Sequence, residues 1–190
     1  NTSMIIRSGK EKKTVWIQFV FEKPFTARAI TLANRAGIPI GRLAVSSDGN
    51  NFTTVAVLPG AQLYRSGKVA TFSFPETTSK IYRLEFTGAP MKPAEVMAET
   101  NTFPDSLYTF SEIKLHTGAR INRWEDKAGF YHLFNYEPVE SPEISASLSI
   151  DPSAVVDLTS KMLPDGSIQW NVPAGNWTIM RFGYSLTGSK

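Results

Sequence analysis

Acidic side chains are the first candidates for chemistry in this sequence, because two carboxyl groups across one cleft can act as acid and base in hydrolysis. Such a pair stands about 5 to 9.5 Å apart, and one member has a raised pKa. The candidate carboxylates are Asp48, Glu85, Glu112, Asp157 and Asp165. The aspartates lie near turn signals, and the glutamates occupy outward positions of strand patterns. Since the pattern does not bring them together, we predict that the chain is not itself catalytic.

Several other kinds of site are excluded by composition. The 190 residues contain no cysteine, which removes disulfides, thiolate metal sites and a cysteine nucleophile. The two histidines, His116 and His132, are far apart, so no zinc site is predicted. With a formal net charge of +3 and scattered basic residues, nucleic acid is not an expected partner. No apolar run reaches the roughly 18 residues of a membrane span.

Polar and aromatic residues in the predicted loops favour the binding of hydroxyl-rich sugars. Sugars stack an apolar ring face on an aromatic side chain and exchange hydrogen bonds with planar polar groups. The candidate set is Asn34, Arg35, Tyr64, Arg65 and Tyr108. We expect these residues to gather at one end of a layer of strands. The alternative for each is a solvated loop position or a tyrosine that packs beneath a loop.

Alternating apolar residues predict the elements that would hold these loops. Strands are predicted at residues 14–21, 27–32, 42–47, 52–58, 69–74, 81–86 and 110–115. Pro24 is expected to interrupt the first pair, and the run from Asp48 to Asn51 predicts a hairpin turn. Trp16 is assigned to the core. Short strands at this spacing, with little helical periodicity, predict an all-β jelly roll or sandwich.

The pattern changes after Gly118. Residues 120–128 predict a short helix, and residues 167–172 and 177–182 predict a β-hairpin with Trp177 in its core. We therefore divide the chain into a β-sandwich (1–118), a connector with a short helix (119–152) and a small C-terminal β lobe (153–190).

Five motifs in order carry a resemblance across the first part of the chain. They are Trp16-Ile-Gln-Phe, Ala29-Ile-Thr-Leu, Val45-Ser-Ser-Asp-Gly-Asn-Asn-Phe52, Tyr82-Arg-Leu-Glu-Phe and Phe110-Ser-Glu-Ile-Lys-Leu115. In this order they resemble the discoidin-like, galactose-binding-type β-sandwich family. The segment that carries a structural calcium loop in that family is not recognisable here, so no cofactor is predicted and bound calcium is left open.

A second set of motifs is more specific. It consists of Asn122-Arg-Trp-Glu-Asp-Lys-Ala-Gly-Phe130, Val156-Asp-Leu-Thr-Ser-Lys161, Asp165-Gly166, Trp170-Asn-Val-Pro-Ala-Gly-Asn-Trp177 and Arg181-Phe-Gly-Tyr184. In combination they are similar to the region that precedes the catalytic barrel in glycoside hydrolase family 106, the α-L-rhamnosidases.

The resemblance implies a non-catalytic accessory module of a glycoside hydrolase. Its expected partners are carbohydrate and the catalytic barrel of the same parent chain, and both ends of the sequence are expected to be cuts in that chain. The implied location is secreted, periplasmic or at the surface of a bacterium. A free-standing carbohydrate-binding or adhesive module is one alternative, and a fragment of a catalytic glycosidase is another.

Overall fold

A computed structural model of the chain describes residues 3–7, 14–34, 37–59, 68–88, 107–128 and 140–183. The chain divides into two compact units, Asn1–Ser149 and Ile150–Lys190. In the described residues all the strands belong to the first unit, whereas the second contains turns and short 3-10 helices.

The described residues of the first unit form six antiparallel strands, one short α-helix and a 3-10 helix at Ala146–Leu148. The strands and the α-helix are β1 (Met4–Arg7), β2 (Val15–Asn34), β3 (Ile40–Ser46), β4 (Thr53–Pro59), β5 (Val69–Gly88), β6 (Leu107–His116) and α1 (Trp124–Lys127). The strands are hydrogen-bonded in the order β1-β6-β2-β5-β3-β4. The predicted all-β class is confirmed.

The long strands β2 and β5 each contribute to two halves of the sheet. Residues 15–20 of β2 pair with residues 81–86 of β5, and β3 and β4 continue from there; we call this set half A. Residues 29–33 of β2 pair with residues 69–73 of β5, and β6 and β1 continue from the β2 side as half B. One continuous pair of strands therefore joins the halves.

The predicted break at Pro24 is wrong, because β2 runs through this residue. Its pairing with β5 shifts register between Val20 and Phe25, and such a bulge accommodates a residue that cannot donate a backbone hydrogen bond. The two predicted strands of β5 are likewise one strand.

The core lies between the two halves, as in a sandwich. Phe86 of half A stacks on Tyr108 and Phe110 of half B, with ring centroids 5.1 Å apart in each case. Phe86 does not share a strand pair with β6, so these contacts are made face to face. Around them the inward residues of both halves, such as Ile30 and Leu84, are fully buried.

The free edge of β5 in half B is covered by residues that precede and begin α1. The Thr71 amide donates to Glu125 Oε2 at 3.0 Å, and the Ser73 amide donates to Asn122 Oδ1 at 3.0 Å. In return the Arg123 amide donates to the Thr71 carbonyl at 2.7 Å. Because Asn122 and Arg123 are held by this edge, the helix begins only at Trp124, later than the predicted residue 120.

Glu125 is the main buried acceptor at this edge, with 3% of its surface exposed. Its Oε1 also accepts from the Thr71 hydroxyl at 2.7 Å. We expect Glu125→Ala to lower the free energy of unfolding by about 2 kcal/mol, because the Thr71 donors lose their acceptor. Urea unfolding followed by far-UV circular dichroism measures this.

Two further variants serve as comparisons for that measurement of stability. Glu125→Gln keeps one acceptor oxygen and should lose clearly less stability than Glu125→Ala. Glu112→Ala, on an exposed position of β6, should change it by no more than about 0.5 kcal/mol. An equal loss in Glu112→Ala and Glu125→Ala would contradict a specific role for the buried carboxylate.

The second unit does not form the predicted hairpin in its described residues, 150–183. These residues carry 3-10 helices at Pro152–Ala154 and Thr159–Lys161 and one isolated antiparallel bridge between Met162 and Ile168. The alternating segments at 167–172 and 177–182 are largely exposed, so they lack the packed face that stabilises a strand pair.

Trp177 is not a core residue either, since 41% of its surface is exposed. Its Nε1 donates to the Pro173 carbonyl at 2.9 Å, and its ring meets that of Trp170 edge to face. The tryptophan thus closes the turn that Pro173 and Gly175 begin.

Candidate functional site

Asn34 and Tyr108, two members of the predicted sugar-binding set, lie in strands rather than in loops. Asn34 ends β2 with 1% of its surface exposed, and Tyr108 lies in β6 with 3% exposed. The Asn34 side chain donates to the Gly37 carbonyl at 2.5 Å and accepts from the Thr109 amide at 2.8 Å. The predicted loop placement of these two residues is wrong, because both side chains are used inside the sandwich.

The other three members of that set, Arg35, Tyr64 and Arg65, lie outside the described residues, and their role stays a prediction. The backbone that flanks them is described. The Asn34 backbone amide donates to the Lys68 backbone carbonyl at 2.8 Å. This bond joins the end of β2 to the residue before β5. Asn34, Lys68 and Tyr108 flank the three predicted loops, which lie after Asn34, before Lys68 and before Tyr108. Together with the bond from the Thr109 backbone amide to the Asn34 side chain, this contact brings the three flanks to one end of half B.

An open groove of about 400 Å³ lies beside β4 and β5 in the first unit. Phe72 and Phe74 contribute apolar lining, and Asn122, Arg123 and Glu140 contribute polar groups. The Asn122 amide nitrogen donates to the Glu140 carbonyl at 3.0 Å, and Arg123 Nε bonds the Asp126 carboxylate at 2.5 Å. These polar groups thus bind one another and shape the wall of the groove.

The outer face of half A, directed away from the core, carries a second group of polar and aromatic side chains. Strand pairing sets Trp16, Glu85 and Arg42 in one row across β2, β5 and β3, and Gln18 and Arg83 in the next row. We call these five residues the outer face. The predicted core position of Trp16 is wrong, because 53% of its surface is exposed.

Arg83 holds the aromatic part of the outer face in place. Its guanidinium carbon lies 4.6 Å from the centroid of the Trp16 ring and 3.5 Å from that of Phe52. Its Nε and Nη2 donate to Gln18 Oε1 at 3.0 and 2.8 Å. The indole is therefore exposed but positioned, with a cation against its ring.

Glu85 is paired with two arginines in this face. Arg42 Nε donates to Glu85 Oε2 at 2.6 Å, and Arg83 Nη1 lies 3.9 Å from Glu85 Oε1. Arg42 Nη1 also donates to Thr54 Oγ1 at 3.0 Å. Both carboxylate oxygens of Glu85 are therefore engaged by guanidinium groups.

Asp48 is a turn residue, as the sequence predicts. Hydrogen bonds from the Asn51 and Asn50 amides, with that of the Asn51 side chain, hold the pKa of its carboxyl far below the usual value. The Ser46 hydroxyl adds a further bond at 2.9 Å. These contacts fix the β3–β4 hairpin turn.

A line of polar side chains crosses half B. His116 Nε2 lies 2.7 Å from Thr31 Oγ1, which lies 2.8 Å from Thr71 Oγ1, and Thr71 reaches Glu125. Burial, and then the charge of Arg120, lower the pKa of His116, which favours the neutral imidazole. The line joins β6, β2, β5 and α1 by hydrogen bonds.

Within the described residues, no group of three or more His, Cys, Asp or Glu side chains is placed to hold a metal ion. The same residues contain no helix long and apolar enough to cross a bilayer.

Comparison with known proteins gives a family and a similar structure. A family profile described as alpha-L-rhamnosidase matches residues 24–190. The rhamnosidase from Novosphingobium sp. PP1Y is 26% identical, with a TM-score of 0.57 over 84% of this chain. The chain spans only 14% of the length of that enzyme.

Chitosan-binding module 1 of a chitosanase/glucanase from Paenibacillus sp. IK-5 is also similar. It is 18% identical, with a TM-score of 0.40 over 60% of this chain and 74% of that one. A search of curated protein sequences finds no match.

Proposed function

The chain belongs to the alpha-L-rhamnosidase family of glycoside hydrolases, and on that premise we propose that it is a non-catalytic accessory module that binds carbohydrate. The parent of such a module is an enzyme of several parts. In the similar Novosphingobium enzyme, 86% of the length (100% less the 14% that this chain spans) lies elsewhere.

The state of the described carboxyl groups carries the non-catalytic part of the proposal. A catalytic acid needs a raised pKa, which burial or a neighbouring negative charge produces. Hydrogen bonds instead lower the pKa of four exposed carboxyls, those of Asp48, Asp151, Asp157 and Asp165. The buried carboxylates of Glu85 and Glu125 are engaged by arginines and by Thr71.

For carbohydrate we propose contacts from Arg35, Tyr64 and Arg65 at the loop end of half B. Asn34 and Tyr108, both buried, act as positioning residues that hold the flanks of these loops. The bonds from Asn34 to Lys68 and Thr109 support this assignment, because they join the three flanks.

Exposed apolar side chains in the second unit favour a contact with another part of the parent chain. Its exposed apolar side chains include Val172, Ile179, Met180 and Phe182, the last 87% exposed. Soluble proteins rarely leave large apolar patches open to water, and such patches mark interaction sites. We propose that the catalytic barrel of the parent enzyme covers them.

We also propose that this enzyme acts outside the bacterial cytoplasm, in secreted, periplasmic or surface-bound form.

Calorimetric titration of the 190-residue chain tests the binding role. With rhamnose-containing and galactose-containing oligosaccharides, with and without calcium, we expect saturable binding that Tyr64→Ala or Arg65→Ala weakens. We also expect an aryl α-L-rhamnoside to stay intact in the presence of the chain, because the pKa values of Asp48, Asp151, Asp157 and Asp165 are lowered rather than raised as a catalytic acid requires.

Phe182→Ala, an aromatic truncation in the second unit, is the matched control and should leave binding unchanged. Absence of heat across the whole panel would contradict carbohydrate binding and leave a structural spacer. Turnover of the rhamnoside that Glu85→Gln abolishes would contradict the non-catalytic assignment.

A further inference from the structure

We propose that the outer face of half A (Trp16, Gln18, Arg42, Arg83 and Glu85) is a second saccharide-binding surface and that its ligand is an acidic saccharide chain. The proposal rests on the carbohydrate-binding role given above and adds a separate surface and a separate class of ligand. It depends on side chains of strands, none of which belongs to the predicted loop set.

The Trp16 indole supplies the stacking surface. Half of the residue is open to water, whereas its neighbours along β2, Val15 and Ile17, turn toward the core. An exposed indole offers a flat apolar surface to a sugar ring. Arg83, which Gln18 holds by hydrogen bonds, already lies against the ring, so little side-chain entropy is lost when a ligand stacks on it.

The charges of the outer face favour a negative ligand. Two guanidinium groups, Arg42 and Arg83, face the single carboxylate of Glu85, which leaves an excess of one positive charge. Arg42 is the accessible member, with 40% of its side chain exposed against 11% for that of Glu85. A guanidinium is well shaped to receive the carboxylate of a uronic acid in a bidentate pair.

The spacing of these groups sets the size of the ligand. Trp16 and Arg42 lie in one row with Glu85 between them, so two strand spacings, about 10 Å in total, separate their backbones. A single ring stacked on the indole does not bridge this distance easily. The ligand is therefore a chain, with one ring on Trp16 and the carboxylate of a neighbouring ring at Arg42.

Titration of the 190-residue chain with tetragalacturonate, and with the same tetramer after reduction of its carboxyl groups, tests this proposal. We expect the acidic tetramer to bind more tightly than the reduced one, with an affinity that falls as salt rises. Trp16→Ala should weaken binding by at least about tenfold, Trp16→Phe should weaken it less, and Arg42→Lys should narrow the difference between the two tetramers.

Val20→Ala is the matched control. Val20 is also exposed on this side of β2, two rows from Trp16, and its truncation should leave affinity unchanged. Thermal melts of every variant separate loss of binding from loss of fold, and Trp16→Phe retains an aromatic ring if Trp16→Ala is unstable.

Each outcome bears on a different claim. Unchanged affinity in a folded Trp16→Ala would overturn the outer-face assignment while leaving carbohydrate binding in place. Equal binding of both tetramers would overturn the acidic class of ligand. If neither tetramer binds but the neutral panel does, the inference fails alone; if no saccharide binds at all, the proposed carbohydrate-binding role fails with it.

Discussion

Gly41→Ala should lower the free energy of unfolding by about 3 kcal/mol or more and disrupt half A. A methyl group at this position would overlap the Glu85 carbonyl oxygen and lie 3.2 Å from Phe86 Cα. Both atoms belong to the backbone of β5, so β3 and β5 would have to separate to admit it. Urea unfolding followed by far-UV circular dichroism measures the loss.

Gly183→Ala is the matched control for that variant. A methyl group at Gly183 meets nothing within 4 Å, so this change should be close to neutral. Because Arg42 follows Gly41 and Glu85 supplies the carbonyl in question, Gly41→Ala should also weaken ligand binding at the outer face. A Gly41→Ala chain with unaltered stability would show that β3 does not approach β5 in this register.

Phe86→Ala should cost about 3–5 kcal/mol, the range for a fully buried aromatic residue. Its ring is 1% exposed and stacks on both Tyr108 and Phe110, so truncation leaves a cavity where the two halves of the sandwich meet. Differential scanning calorimetry should report a large fall in the midpoint of the transition.

The same substitution at an exposed phenylalanine shows whether the loss of stability comes from the burial of Phe86 or from the removal of any phenylalanine ring. Phe182 is 87% exposed, and Phe182→Ala should change stability by no more than about 0.5 kcal/mol. Similar losses in both variants would contradict a core centred on Phe86.

The alternation of apolar residues was sufficient to predict most strands of half A and half B. It could not predict that β2 and β5 each continue through a proline, because the bulge between Val20 and Phe25 depends on pairing with residues far along the chain. Nor could it predict the absence of strands at 167–172 in the described part of the second unit. Apolar and polar residues alternate there, but the side chains of residues 167–172 are largely exposed, so neither side of the segment is buried as a strand in a sheet would be.

The candidate site was harder to predict for a related reason. Sequence alternation places Trp16 on the face opposite Ile17, but only the tertiary structure tells which face is covered. The polar side chain of Asn34 suggested a loop position. In the structure, its side-chain amide instead bonds to the backbone of Gly37 and Thr109 at the end of β2. The sequence signal available for the outer face was the pair Arg83 and Glu85. These two residues are two positions apart in β5, so they lie on the same side of the strand.

The sharing of β2 and β5 between the two halves has a consequence for how the chain acquires its fold. Val15 pairs with Phe86, so β2 is synthesised well before the strand that completes its pairing. Loop closure over such separations is slow, and the central strand pair of each half requires β5. We therefore expect folding to be late and cooperative, with β2 exposed during synthesis as an aggregation-prone segment until β5 has left the ribosome.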